Sequence, residues 1–167
     1  MARTSRLAGA ALAATALALA PRPADAQELL VAGTAAAHSG VESSGKTFQR
    51  ARTRLRIGAE LRVDESPNDG LAFAALVDLE PRAAFGGDLR YVRTVSERFA
   101  LNAGAIGYAA PGTLLGAVAG AEIRFKVGKS AAVVLAPEVT VFFLGTDLPN
   151  NNIFWQGLMG GGIRVQF

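Results

Sequence analysis

Arg50 to Asp64 alternates with period two almost without error. Ala51, Thr53, Leu55, Ile57, Ala59, Leu61 and Val63 make one phase; Arg50, Arg52, Arg54, Arg56, Gly58, Glu60, Arg62 and Asp64 make the other. Successive side chains of a strand point to opposite faces, whereas a helix would scatter these arginines around its axis. The segment therefore predicts one long strand. Globular strands usually run about five or six residues. A tilted strand that crosses a bilayer needs about nine to eleven and often projects beyond it.

The pattern recurs along the chain. Similar phases predict strands over Leu71–Glu80, Asp88–Val95, Phe99–Tyr108, Leu115–Val127, Ala131–Phe143 and Ile153–Phe167. Leu29–Ala36 opens the series with a weak phase, because both of its faces are apolar or small. Eight strands result, an even number, as a closed single-chain bacterial barrel requires. The gaps alternate: Ala37–Gly45, Pro81–Gly87, Ala109–Leu114 and Gly145–Asn152 are mostly longer than Glu65–Gly70, Ser96–Arg98 and Gly128–Ser130. Pro137 conflicts with its strand, since proline removes a ladder hydrogen bond. A bulge or a local break is expected there.

The start of the chain indicates export. Arg3 and Arg6 precede an uncharged Ala/Leu-rich run from Leu7 to Ala20, Pro21 and Pro23 break it, and Ala24-Asp25-Ala26 fits a small-x-small cleavage site. This reads as a signal peptide over 1–26, leaving one domain over 27–167. Its apolar run is too short for a membrane helix. Removing Arg3, Arg6, Arg22 and Asp25 takes 17 basic and 14 acidic residues to 14 and 13, and the net charge from +3 to +1. A near-neutral exported chain argues against a nucleic-acid partner. No long apolar run remains in 27–167, so a membrane protein built from it spans by strands.

The other end carries a second address. Ile163, Val165 and Phe167 share a face, and Gly162, Arg164 and Gln166 share the other. Chain termini usually fray and face water, so a large aromatic as the final residue of an alternating strand is unusual in a soluble domain. Together, the signal peptide, the strand count and the terminus Gly161-Ile163-Val165-Phe167 resemble the small eight-stranded outer-membrane barrels, such as the OmpX group and the OmpA transmembrane domain. The resemblance implies an all-β, antiparallel, up-and-down transmembrane barrel in the outer membrane. Outer-membrane lipid and lipopolysaccharide would surround it. The terminal strand would be read by the barrel-assembly machinery after delivery by periplasmic chaperones. The long gaps would face outside, and both chain ends the periplasm. The expected oligomeric state is a monomer. No peptidoglycan-binding domain follows Phe167, so that activity is not implied.

Such a barrel inverts the soluble arrangement, with apolar side chains outside and charges within. The charged phase holds Arg50, Arg52, Arg54, Arg56, Arg62, Arg90, Arg124, Lys126 and Arg164. It also holds Glu60, Asp64, Asp78, Glu80, Asp88, Glu122 and Glu138. These charges nearly cancel, as an internal ion-pair network would. The candidate network is Arg54, Arg56, Glu60, Arg62, Asp78, Glu80, Arg90, Glu122, Arg124, Glu138 and Arg164. A turn at Glu65–Gly70 predicts that Arg56 meets Asp78 or Glu80. The apolar phase contains Ala117, Ala119 and Ala121 in succession. As a soluble interior it would fill poorly; against fluid lipid, small residues leave no void. Phe85, Phe143 and Trp155 at the outside ends, and Phe99, Phe125 and Phe167 at the periplasmic ends, predict two aromatic girdles. A lumen eight strands wide is just filled by side chains, so the resemblance implies a plugged barrel with a structural or surface role and no open pore. The alternative is a secreted or periplasmic lipocalin-like barrel with the apolar phase inside, binding a hydrophobic ligand.

Catalytic chemistry has little to stand on. Some small outer-membrane barrels modify lipid A with Ser, His and an acid. Here His38, the sole histidine, lies near Ser39, Glu42, Ser43 and Ser44. Loop composition does not make a triad, and the surroundings read as a mobile outside loop. With no cysteine, one histidine and no EF-hand spacing, neither metal nor cofactor is expected. No enzyme is predicted.

Overall fold

A computed structural model describes residues 29–44, 47–51, 53–63, 65–79, 83–148 and 153–167. The signal peptide, Arg52, Asp64 and Glu80 lie outside them. The strands are β1 (Leu29–Ser44), β2 (Thr47–Arg50), β3 (Arg54–Val63), β4 (Asp69–Asp78), β5 (Ala84–Ser96), β6 (Phe99–Ala110), β7 (Leu114–Lys126), β8 (Ala131–Leu144) and β9 (Phe154–Gln166). All pairings are antiparallel, and from β3 onward each strand pairs with the next. Pairing of β1 with both β3 and β9 closes the cylinder. β2 is no ninth stave: it pairs only with the end of β1 and continues β3 along the same partner. The result is an eight-stranded up-and-down barrel. Its turn end carries both termini of the described chain and the short connections. Its other end, the loop end, carries the β1–β2 hairpin.

Several boundaries differ from those predicted. The fifteen-residue strand is split: β2 ends at Arg50 and β3 starts at Arg54. Val41 faces Arg50, but His38 faces Arg54, so the ladder slips by one residue between them. Period-two alternation does not report a slip that leaves both pieces extended. Ala37–Ser44, predicted as loop, completes β1. Its small residues give no apolar contrast, but pairing with β9 needs only backbone groups. β5 starts at Ala84 rather than Asp88, with register shifts at Phe85/Gly86 and Thr94/Ser96. β4 starts two residues early, at Asp69, which shortens the β3–β4 turn. At Pro137 there is no bulge. β8 runs through it and pairs Pro137 with Met159, while the ladder to β7 stops at Gly120/Glu138 and resumes in the same register at Ile123/Leu135. A local break absorbs the missing N–H.

The two faces are sharply different. Leu55, Ile57, Leu71, Phe73, Leu89, Leu101, Leu115, Val133, Val139, Met159 and Ile163 point outward and are exposed. Arg54, Arg56, Glu60, Asp78, Asp88, Arg90, Arg124, Glu138 and Arg164 point inward and are buried. A 13-residue strand rises roughly 33 Å at about 3.3 Å per residue and a tilt of about 40°. That exceeds the ~25 Å apolar band of membrane barrels. Phe85 and Phe143 are exposed near the loop end, with Trp155 edge-on to Phe48, while Phe125 and Phe167 are exposed at the turn end, where Phe99 begins β6.

Candidate functional site

The interior has three tiers. At the loop end Leu76, Ala84, Ile106, Tyr108, Val118, Phe142 and Phe154 form an apolar cluster, joined from the side by Leu114 and Leu148. The Phe142 and Phe154 rings stack at 5.7 Å. These residues sit on the charged phase, and charge alone did not single them out. Their parity with Arg54, Asp78 and Glu138 was the available signal.

The middle tier is a connected set of charges. Arg54 Nη1 donates to Glu138 Oε1 at 2.8 Å, Nε to Asp78 Oδ1 at 3.3 Å and Nη2 to Gln156 Oε1 at 2.5 Å. Gln156 donates onward to Glu42, which also accepts from Gln49. Tyr108 donates to Asp78 at 2.8 Å and carries the Arg54 guanidinium 5.7 Å from its ring centroid. Arg90 Nη1 donates to the other Glu138 oxygen at 2.9 Å and to Asn102, while its Nη2 donates to Asp88 at 2.7 Å. Arg56 grips Asp88 with two hydrogen bonds, at 2.9 and 3.1 Å. Glu138 on β8 thus holds arginines from β3 and β5, spanning the interior. Charge-assisted, forked contacts of this kind are among the stronger hydrogen bonds.

Arg56 therefore does not meet Asp78. The register pairs Arg54 with Asp78 and Arg56 with Leu76, so Arg56 reaches Asp88 on β5 instead. The prediction missed because it set the β3–β4 register about three residues off, and position 56 pairs with Leu76. Glu80, the other expected partner, lies outside the described residues. Asp88, Glu42, Asn102, Tyr108 and Gln156 were missing from the candidate network, although all five share its parity.

The third tier lies near the turn end. Glu60 accepts from Arg62 and, at 2.7 Å, from Arg164; Glu122 accepts from Arg124 at 2.9 Å. Arg124 lies 3.9 Å from Glu60, and Arg164 lies 3.8 Å from Glu122. Farther out, Lys126 pairs with Glu97 on the exposed rim.

His38 belongs to the wall and not to a mobile loop. It sits on β1, buried, with Nε2 3.9 Å from Glu138. Ser39 is the next residue on the same strand and takes the opposite face. A His38–Ser39 pair is therefore not assembled.

No protein-family model matches the chain, and no curated protein matches it. In structure it is similar to Neisserial surface protein A (NspA), at 14% identity and a TM-score of 0.48, over 83% of this chain and 97% of that one. It is also similar to the outer membrane protein AlkL, solved in DMPC lipid bilayers, at 11% identity and a TM-score of 0.38, over 89% of this chain and 96% of that one.

Proposed function

We propose that this chain is an integral barrel of the outer membrane, monomeric, with a structural or surface role and an interior filled by side chains rather than open as a pore. The observation that carries this reading is the inverted distribution of polarity. Ile57 and Phe73 are 67% and 49% exposed on the outer wall, while Arg54 and Glu138 are 1% and 5% exposed within. In water that wall would leave an apolar surface far beyond the patches monomers tolerate, and in lipid it is the solvated surface. A soluble lipocalin-like barrel needs the opposite assignment of both faces.

The filled interior rests on the Arg54–Glu138–Arg90 chain across the middle and on the Phe142–Phe154 cluster above it. Lipid and lipopolysaccharide are the expected surroundings. The exposed Ile163–Val165–Phe167 face of β9, with Gly161, is the expected address for the barrel-assembly machinery after export by residues 1–26. No catalytic step is included in this reading.

Membrane fractionation, with electrophoresis before and after heating, tests the location. The protein should sediment with outer membranes, resist extraction by salt, and change mobility on heating. Planar bilayers test the interior, where no porin-sized conductance is expected. A freely soluble, detergent-independent protein would overturn the first part, and large stable channels from pure protein the second.

A further inference from the structure

The turn end of the interior opens into a cavity of about 280 Å³, with Arg62, Arg124 and Arg164 at its back and Lys126 and Lys129 at its rim. Facing them in the lining are Glu60 and Glu97. Glu97 is taken up by Lys126 at the rim. Behind it, three guanidiniums share two carboxylates, Glu60 and Glu122. Among the described residues, one positive charge is left over in a place largely shielded from water. The side chains of Arg124 and Arg164 are each 10% exposed, and that of Arg62 is 11% exposed.

Two donors there are left over as well. Among the described residues, Arg62 Nη2 and Arg124 Nη2 are buried without a hydrogen-bond acceptor. Buried polar groups are almost always satisfied, and guanidinium donors are costly to strand. Among the described residues of the middle tier, a single buried guanidinium nitrogen, Arg90 Nε, lacks an acceptor, and it sits on an arginine already paired with Glu138 and Asp88. There Arg56 is gripped by a carboxylate in two bonds, and Arg54 uses all three of its nitrogens. Only at the turn end do two guanidiniums with orphaned donors line an open cavity among the described residues. At roughly 30 Å³ per water molecule, the cavity has room for a tetrahedral anion and part of whatever bears it.

We propose that this vestibule binds a phosphate group. Phosphate offers more acceptor oxygens than the carboxylates already present, and forked guanidinium donors match it in pairs. Lys126 and Lys129 at the mouth add attraction that reaches beyond contact. Either a free phosphate compound or a phospholipid headgroup bent over the rim supplies this chemistry. The free-phosphate source does not depend on membrane location or on a closed interior, because the site lies at the mouth; the headgroup source rests on the membrane location proposed above.

The test is calorimetric titration of the full mature barrel in dodecyl maltoside, whose headgroup has no phosphate. Inorganic phosphate is one titrant and a short-chain phosphatidic acid below its micelle concentration is the other, both against chloride at equal ionic strength. Saturable binding by wild type is expected, weakened at least tenfold in Arg124→Gln and a few-fold in Lys129→Gln. Heat-shifted electrophoretic mobility reports which variants are folded; if Arg124→Gln is not, the rim variant carries the comparison. Binding of inorganic phosphate assigns the site to free phosphates. Binding of the phosphatidic acid alone assigns it to a headgroup. The proposal fails if folded wild type binds neither titrant, or if the folded variants bind as tightly as wild type.

Discussion

Arg54 and Glu138 stand 84 residues apart in sequence and 2.8 Å apart inside the barrel, each almost wholly buried. Glu138 also holds Arg90 from β5. Removing the carboxylate takes a partner from two guanidiniums at once, leaving Arg54 with Asp78 and Arg90 with Asp88. Breaking a buried pair from one side costs about 3–5 kcal/mol, whereas replacing both partners by apolar groups is often far milder. Glu138→Leu should therefore lower unfolding free energy by about 3–5 kcal/mol, read from Trp155 fluorescence during urea unfolding in lipid vesicles. Combining it with Arg54→Met should cost less than the two single changes added together. Full additivity would show that the pair is not coupled.

Ile57 is 67% exposed on the outer wall, between the inward Arg56 and Gly58. Arginine on the lipid face near the bilayer midplane costs roughly 2–4 kcal/mol. Ile57→Arg should sharply reduce the folded, heat-modifiable fraction in membranes. Equal insertion of Ile57→Arg and wild type, scored by that mobility shift, would sink the assignment of this face to lipid.

Gly160 and Gly161 are neighbours with opposite demands. A Cβ on Gly160 would lie 2.2 Å from the His38 ring, which is itself enclosed between strand walls. A Cβ on Gly161 meets nothing within 4 Å among the described residues. Gly160→Ala should destabilise by about 1–3 kcal/mol, the usual range for overpacking, and Gly161→Ala by a few tenths at most. Denaturant midpoints of the two variants compare them directly; equal midpoints would mean that His38 has room to move.

Phe167 is 80% exposed, and its backbone N–H donates to Val31 at 2.9 Å. So exposed a ring adds little packing. Deleting it should lower the amount of folded protein assembled in cells, while refolding of purified protein into detergent stays near wild type. Comparable losses in both assays would make Phe167 a structural residue and remove its role as an assembly address.

Much of this was legible beforehand because a strand has a short period. Parity placed Leu55 and Ile57 on one face, Arg54 and Arg56 on the other, and repeated often enough to count the staves. Parity also covered residues that charge did not highlight, such as Phe142 and Gln156. What it does not contain is register. Arg56 reaches Asp88 and not Asp78 because Gly70 joins the ladder opposite Arg62, a matter of where one turn tightens. His38 is a wall residue because β9 offers β1 a backbone partner thirteen residues long. Neither fact is local to the segment concerned.

The sequence by itself determined the all-β class, the even number of staves and the separation of apolar from charged faces, since each follows from alternation within one strand. Only the tertiary structure decided which charges meet, where the interior turns apolar, and that a pair of arginine nitrogens is left without acceptors at the turn end. Those depend on closure, when β1 meets β9 and side chains from strands far apart in sequence share one narrow space. Ion pairs act over a few ångströms, and closure sets those distances.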